Sequence, residues 1–387
     1  MRQPLLLYGF AFILGLFFSC QNKPTATTSE EVDSTLDALL QEAIDDSLGD
    51  VPGVSMTVIY PNRNIHWVKA KGFADKTEDT PLLPEQPYRI ASITKTYVAA
   101  AIFRLHEMDS LDIDAPISHH ISAEHRDLLV ADGYQPEEIT LRHCLLHTSG
   151  LYDYAVSSPA YIEAASKNAK RRWSRTDQLR FAMDLGQPRW PAGSGFHYSD
   201  TGYILLGEAI ERSLDSTLAY GLRSLLKFES MGLKNTWLET VEPAPADALP
   251  MVRRYYGKQD FTEWDASVDL WGGGGLLATS EEVALFVQAL FTGHIFDEAS
   301  TLQEFMKGPA DFNAAYDAST DPGYMDYRSG HEAFTLYNLP ALSHSGFWGS
   351  AYLYLPDLEA TIAVNYTTGF KQRLLKKTVL ALRSLEE

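Results

Sequence analysis

Leu36, Leu39, Leu40, Ile44 and Leu48 recur at intervals of three and four, so one apolar face predicts an amphipathic helix over 32–48, ended by Gly49 and the Pro52–Gly53 turn. Residues 54–60 and 65–73 then read as strands joined through Pro61 and Asn62. Residues 92–105 read as a helix, and from there to about 270 the pattern is mostly helices and long loops. Beyond Ala333 it turns strand-like again, with runs at 334–337, 341–345, 351–355 and 360–366 punctuated by Pro340, Gly346 and Pro356. A last helix is expected over about 370–385, with Leu374, Leu375, Val379 and Leu382 on one side. Strand-rich ends flanking a helical middle imply an α/β (α+β) fold. One antiparallel sheet would draw strands from both chain ends under the terminal helices. This lobe covers about 32–105 and 275–387; a mostly helical lobe covers about 106–274; together they make one domain over 32–387.

Ahead of that domain, 5–18 is a nearly continuous apolar run behind Arg2. Its length of about 14 residues falls short of the roughly 20 that span a bilayer and suits a signal-peptide core, so 1–19 is read as a signal peptide. Ser19-Cys20 resembles the lipobox of bacterial lipoproteins, with Phe17 where leucine is usual. The resemblance implies lipidation at Cys20, the residues 20–31 as a polar tether, and a lipid-anchored protein of the bacterial cell envelope, on its periplasmic or outer-membrane face. The plainer alternative is an ordinary cleaved signal with an incidental cysteine.

The chain has 387 residues and 45% apolar content, ample for a large core. Its 51 acidic against 32 basic side chains give a formal charge of −19, a field that repels phosphates and argues against a nucleic-acid partner. Two cysteines cannot build a disulfide scaffold. Cys144, in an apolar stretch, reads as a small buried hydrophobe.

Ser92-Ile93-Thr94-Lys95 is an S-x-x-K. Positions i and i+3 share a helix face, so the Lys95 amine can reach the Ser92 hydroxyl, which needs a neighbouring base to become a nucleophile. The spacing alone is weak, since Ser224 and Lys227 repeat it on what looks like an ordinary helix. Context strengthens Ser92: Trp190-Pro191-Ala192-Gly193, Tyr198-Ser199-Asp200, His147-Thr148-Ser149-Gly150, the glycine run 272–275, and His344-Ser345-Gly346 follow along the chain.

This ordered set resembles the serine β-lactamase and penicillin-binding-protein superfamily, in the branch of class C β-lactamases, D-alanyl-D-alanine carboxypeptidases, D-aminopeptidases and related esterases. The resemblance implies the β-lactamase/transpeptidase-like fold from about residue 32 onward. It implies Ser92 as the acylated nucleophile, Lys95 as its partner and Tyr198 as a proton carrier. His344, Ser345 and Gly346 take the place of the K-T-G strand motif that binds substrate. The oxyanion hole would be the backbone N–H groups of Ser92 and Phe347.

Two departures bear on the substrate. Asp200 stands where the Y-x-N motif has asparagine, and an ionised carboxylate cannot donate a hydrogen bond to a substrate carbonyl. Beside Lys95 it would also favour the ammonium and shift proton acceptance toward Tyr198, whose phenolate Lys95 would stabilise. His344 replaces a lysine, removing a permanent cation that would hold a β-lactam carboxylate. The expectation is a serine hydrolase acting on a small ester, amide or short D-amino-acid peptide. The competing reading is a catalytically weak penicillin-recognising module that binds or senses. No G-x-S-x-G, H-E-x-x-H, paired Cys-x-x-Cys, P-loop or dinucleotide fingerprint occurs, so no metal or cofactor is expected. His147 reads as structural, and the basic cluster Lys167, Lys170, Arg171, Arg172 and Arg175 as a solvated helix face.

Overall fold

The computed structural model describes residues 29–45, 51–256, 259–313 and 326–386. The expected signal peptide, Cys20 and most of the expected tether lie outside the described residues. Among those described, no helix is long and apolar enough to cross a membrane.

Seven antiparallel strands form the main sheet: β1 (Gly53–Tyr60), β2 (Ile65–Asp75), β3 (Thr80–Pro81), β4 (Glu332–Leu336), β5 (Leu339–Ser345), β6 (Ser350–Leu355) and β7 (Ala360–Tyr366). Their order is β3-β2-β1-β7-β6-β5-β4, so β1 from one chain end pairs with β7 from the other, as Val54 opposite Tyr366 and Ile59 opposite Thr361. This is the antiparallel sheet expected from both ends.

Alternation along each strand sorts side chains to two layers. Val54, Met56 and Val58 of β1 join Ile362 and Val364 of β7 on the outer face. There helices α1 (Glu30–Asp45) and α5 (Gln372–Arg383) supply Leu36, Leu40, Leu374, Leu375, Val379 and Leu382. Helix α1 begins two residues before the expected start at 32 and takes Glu30 and Glu31 from the expected tether; Glu30, Glu31 and Asp33 complement the positive end of its dipole.

The inner face carries small and polar side chains: the Thr57 hydroxyl lies 2.9 Å from that of Ser280. Ser280 opens helix α4 (Ser280–Phe291). The Thr279–Glu282 spacing suggests a capping box; the Thr279 hydroxyl does accept the Glu282 N–H, but the Glu282 carboxylate bonds Asn235 and Thr236 instead of closing the box. Helix α2 (Thr94–Glu107) is buried from Thr94 to Leu105, hence its run of alanines (Ala99, Ala100, Ala101). It packs on α4's side of the sheet and against helix α3 (Asp200–Leu214) of the helical lobe. That lobe supplies most of the second core, from Ile113 to Leu270.

A small three-stranded sheet fastens the two lobes. Leu276–Ala278 pairs with Tyr88–Arg89 on one side and Trp237–Leu238 on the other. Tyr88–Arg89 immediately precedes the Ser92 turn, and Leu276 immediately follows the glycine run. Their pairing sets Ser92 beside those glycines, and Arg89 locks it through two bonds of 2.7 and 2.8 Å to Glu239.

Candidate active site

Ser92 sits not in the helix proper but on a 3-10 turn, Ala91–Ile93, just before α2. Ala91 holds a left-handed φ of 48°, a strained conformation of the kind that clusters at functional sites. Lys95 lies one turn on, fully buried. Its Nζ is 2.9 Å from Ser92 Oγ, 2.6 Å from Asp200 Oδ1 and 2.6 Å from the Gly273 carbonyl. A carbonyl and a carboxylate oxygen can only accept, so two Nζ protons are committed to them. The third tetrahedral direction points at Ser92 and carries either the last proton or the lone pair that would take one from the hydroxyl.

The glycine run is what admits this arrangement. A Cβ on Gly273 would lie 2.5 Å from Asp200 Oδ1, and one on Gly274 would lie 2.0 Å from Asp269 Oδ1. The run is a turn against the pocket, and the use of Gly273's carbonyl as a lysine acceptor is not visible in the sequence.

Tyr198 enters on the segment leading into α3. Its side chain is within hydrogen-bonding reach of Ser92, and Lys95 Nζ is 5.0 Å from its ring centre. His147 brackets it. The His147 carbonyl accepts from His197 N–H at 2.8 Å, its Nδ1 accepts from Ser199 N–H at 3.0 Å, and its ring centre is 4.3 Å from that of Tyr198. Burial holds the His147 pKa well below the ordinary range, which keeps Nδ1 free to accept. The structural role read from the sequence therefore has a specific object, the placing of Tyr198.

Asp200 heads α3, where its own N–H donates to Asp153 Oδ1 at 2.8 Å. Burial, opposed by Lys95, raises its pKa from 3.8 to about 6. Burial and the Asp200 charge push the Tyr198 phenol well above its ordinary value. The resting phenolate expected from the nearness of Lys95 is thus disfavoured: desolvation dominates, and the Tyr198 phenol keeps its proton.

His344 points inward from β5. Its Nδ1 is 2.9 Å from the Ser345 carbonyl and its Nε2 3.0 Å from the Tyr327 hydroxyl. The carbonyl can only accept, so Nδ1 carries the proton and Nε2 accepts. Burial lowers its pKa to about 3, so this group is neutral throughout the physiological range and is no cation for a substrate carboxylate. Ser345, one residue on, faces the other side of the strand and lines a separate cleft with Phe334, Leu353 and Lys376. Gly346 packs on the Ser92 turn, where a Cβ would meet the Ile90 carbonyl at 2.3 Å and Ala91 Cβ at 3.1 Å. This close approach brings the backbone at Phe347 to the rim of the Ser92 cavity.

That cavity, about 480 Å³, is walled by Ser92, Tyr154, Tyr161, Asp200, Phe261, Asp269, Phe347 and Trp348, with smaller side chains from 155–162. Asp269 was not singled out by the sequence reading; an acid three residues before a glycine run in an apolar stretch was the available signal.

Elsewhere, Ser224 bonds its own helix at the Tyr220 carbonyl and Lys227 pairs with Asp297, so the second S-x-x-K is structural. Cys144 is buried. The basic cluster is not one helix face. Lys170 and Arg171 lie between helices, and Arg175 pairs with Glu211 at 2.8 Å. Among the described residues no cluster of His, Cys, Asp and Glu could hold a metal ion.

A serine with a buried lysine one turn away, a buried tyrosine beside it and a glycine-ended strand across the cavity are arranged as in the β-lactamase-like folds. A family model described as Beta-lactamase matches residues 36–383, and the chain belongs to that family. It is 28% identical over 224 residues to Esterase EstB of Burkholderia gladioli, covering 57% of this chain and 55% of the relative. It is 25% identical over 245 residues to Protein flp of Staphylococcus aureus (strain NCTC 8325 / PS 47), covering 62% and 45%. The chain thus spans about half the length of these curated relatives. Among solved structures, D-amino acid amidase from Ochrobactrum anthropi SV3, complexed with L-phenylalanine amide, matches at TM-score 0.74 and 22% identity over 92% of this chain and 100% of that one. The octameric penicillin-binding protein homologue from Pyrococcus abyssi matches at 0.68 and 21%, over 86% and 73%. These likenesses establish the fold.

Proposed function

We propose that the protein is a serine hydrolase that cleaves a small ester or amide through an acyl-enzyme at Ser92. The observation that carries this reading is the 2.9 Å approach of Lys95 Nζ to Ser92 Oγ, with the other two Nζ directions taken by Asp200 and Gly273. Lys95 gives one of its protons to Asp200 Oδ1, 2.6 Å away, and Ser92 Oγ attacks the substrate carbonyl carbon as its own proton passes to the freed Lys95 amine, directly or through the Tyr198 hydroxyl. The N–H groups of Ser92 and Phe347 hold the oxyanion, each such donor being worth about 2.7–4 kcal/mol. Collapse expels the alcohol or amine, which takes up the relayed proton. Water then attacks the acyl-enzyme by the same route and releases the acid.

The likeness to Esterase EstB and to D-amino acid amidase supports an ester or amide substrate. The apolar, aromatic cavity and the neutral His344 support an uncharged or cationic acyl group over a carboxylate-bearing β-lactam. In this reading Cys20 carries a lipid that holds the enzyme at the bacterial envelope, supported by the leader pattern of 1–20. Hydrolysis of p-nitrophenyl esters by wild type and Ser92→Ala tests the enzyme: the variant is expected to lose at least ~10³-fold in kcat. Stable acylation of wild type without turnover would favour a binding module, a reading the Asp200–Lys95 pair also allows.

A further inference from the structure

Asp269 lines the cavity that opens on Ser92, and no step of the acyl transfer uses it. Its Oδ2 accepts the Trp348 indole N–H at 2.9 Å, which fixes the carboxylate in the wall. The nearby cations are committed elsewhere. Lys95 is held by Asp200, Ser92 and Gly273, and Arg89 by Glu239. Among the described residues no ion pair involves Asp269, and neither lysine nor arginine lines the cavity. Lys95 balances Asp200, so the cavity holds one carboxylate more than it holds cations.

Such a charge is costly to keep from water unless a partner arrives. Burial and the Asp200 charge raise the Asp269 pKa from 3.8 to about 6, so it is still largely ionised at neutral pH. Apart from Ser92, Ser158 and Asp200 the rest of the wall is apolar or aromatic, with Tyr154, Tyr161, Phe261 and Trp348 presenting aromatic surface to the cavity. Glycine at 274 is what lets the carboxylate sit there, since a Cβ would meet its Oδ1. The pocket therefore offers an anion and an aromatic lining next to a nucleophile.

We infer that Asp269 is the counter-ion for a protonated amine on the acyl group of the substrate, which makes the substrate an aminoacyl ester or amide with an apolar or aromatic side chain. This rests on Ser92 being the nucleophile. Asp269 acts on specificity: its carboxylate receives the ammonium and turns the adjacent carbonyl toward Ser92.

The test compares phenylalanine methyl ester, in both enantiomers, with methyl 3-phenylpropanoate, which lacks the amine. Wild type is expected to prefer one amino ester by at least ~10-fold in kcat/KM, as a charge-assisted hydrogen bond allows. Asp269→Asn keeps an acceptor for Trp348. It is expected to lose that preference, mostly through KM, with the fall on the amino ester at least ~10-fold larger than any change on the des-amino ester. No preference in wild type, or an equal fall on both substrates, would overturn the inference. Calorimetric binding of 2-phenylethylamine needs no turnover: wild type is expected to bind it at least ~10-fold more tightly than 2-phenylethanol, and equal binding would overturn the inference even if the variant misfolds. Ester hydrolysis that survives Ser92→Ala would overturn the nucleophile assignment alone, because amine binding is read separately.

Discussion

Lys95 Nζ and Asp200 Oδ1 meet at 2.6 Å, shielded from solvent, and the same nitrogen touches Ser92. The nucleophile's partner is therefore half of an ion pair whose other half occupies the position of an amide in related motifs. Asp200→Asn would keep an oxygen acceptor for Lys95, remove the negative charge and add an N–H donor. Acylation by a fluorescent penicillin, followed by gel fluorescence over time, is expected to rise several-fold in this variant. An unchanged rate would count against Asp200 as the group that excludes amide-type ligands.

Asp269 also links stability to pH. Its folded pKa, about 6, stands above the ordinary 3.8. A raised value means that the stabilisation is fully present below about pH 4 and is lost as pH rises through 6. Asp269→Asn removes that loss. Its free energy of unfolding is expected to exceed that of wild type at pH 8 by an amount on the order of 1–3 kcal/mol, seen as a higher melting temperature, with the difference shrinking toward pH 4. Thermal denaturation at both pH values reads this; a gap that widens on acidification would contradict it.

Tyr198→Phe keeps the ring that stacks on His147 and removes only the hydroxyl near Ser92. A proton relay predicts a fall in kcat of about 10²–10⁴ with KM little changed. Melting temperature should stay close to wild type, which separates relay from packing.

Gly346→Ala places a methyl against the Ile90 carbonyl and the Ser350 hydroxyl, at 2.3 and 2.4 Å. Strand β5 would have to retreat from the nucleophile's turn. A loss of stability on the order of 3 kcal/mol is expected by denaturant titration, together with a fall in kcat from the displaced backbone at Phe347.

Much of this site was legible because the signals were local. The three-residue spacing of Ser92 and Lys95 says which side chains can meet, and the alternating runs 351–355 and 360–366 mark strands of one sheet. Period-two alternation also contained the separation of Ser345 from His344, although motif likeness grouped them. What was not legible depends on distant segments meeting. Gly273's carbonyl becomes a ligand of Lys95 only because Leu276 pairs beside Arg89. Asp269 faces Ser92 only because Trp348, 79 residues away, fixes its carboxylate. The protonated state of Tyr198 follows from burial, which a nearby lysine in the sequence does not reveal.

The central claim is covalent chemistry at one hydroxyl. Wild type and Ser92→Ala are treated with a fluorophosphonate, and the intact mass and the modified peptide are read by mass spectrometry. A single adduct on Ser92 in wild type, absent from a folded Ser92→Ala, is the expected result. An adduct on another residue, or equal labelling of the variant, would contradict it.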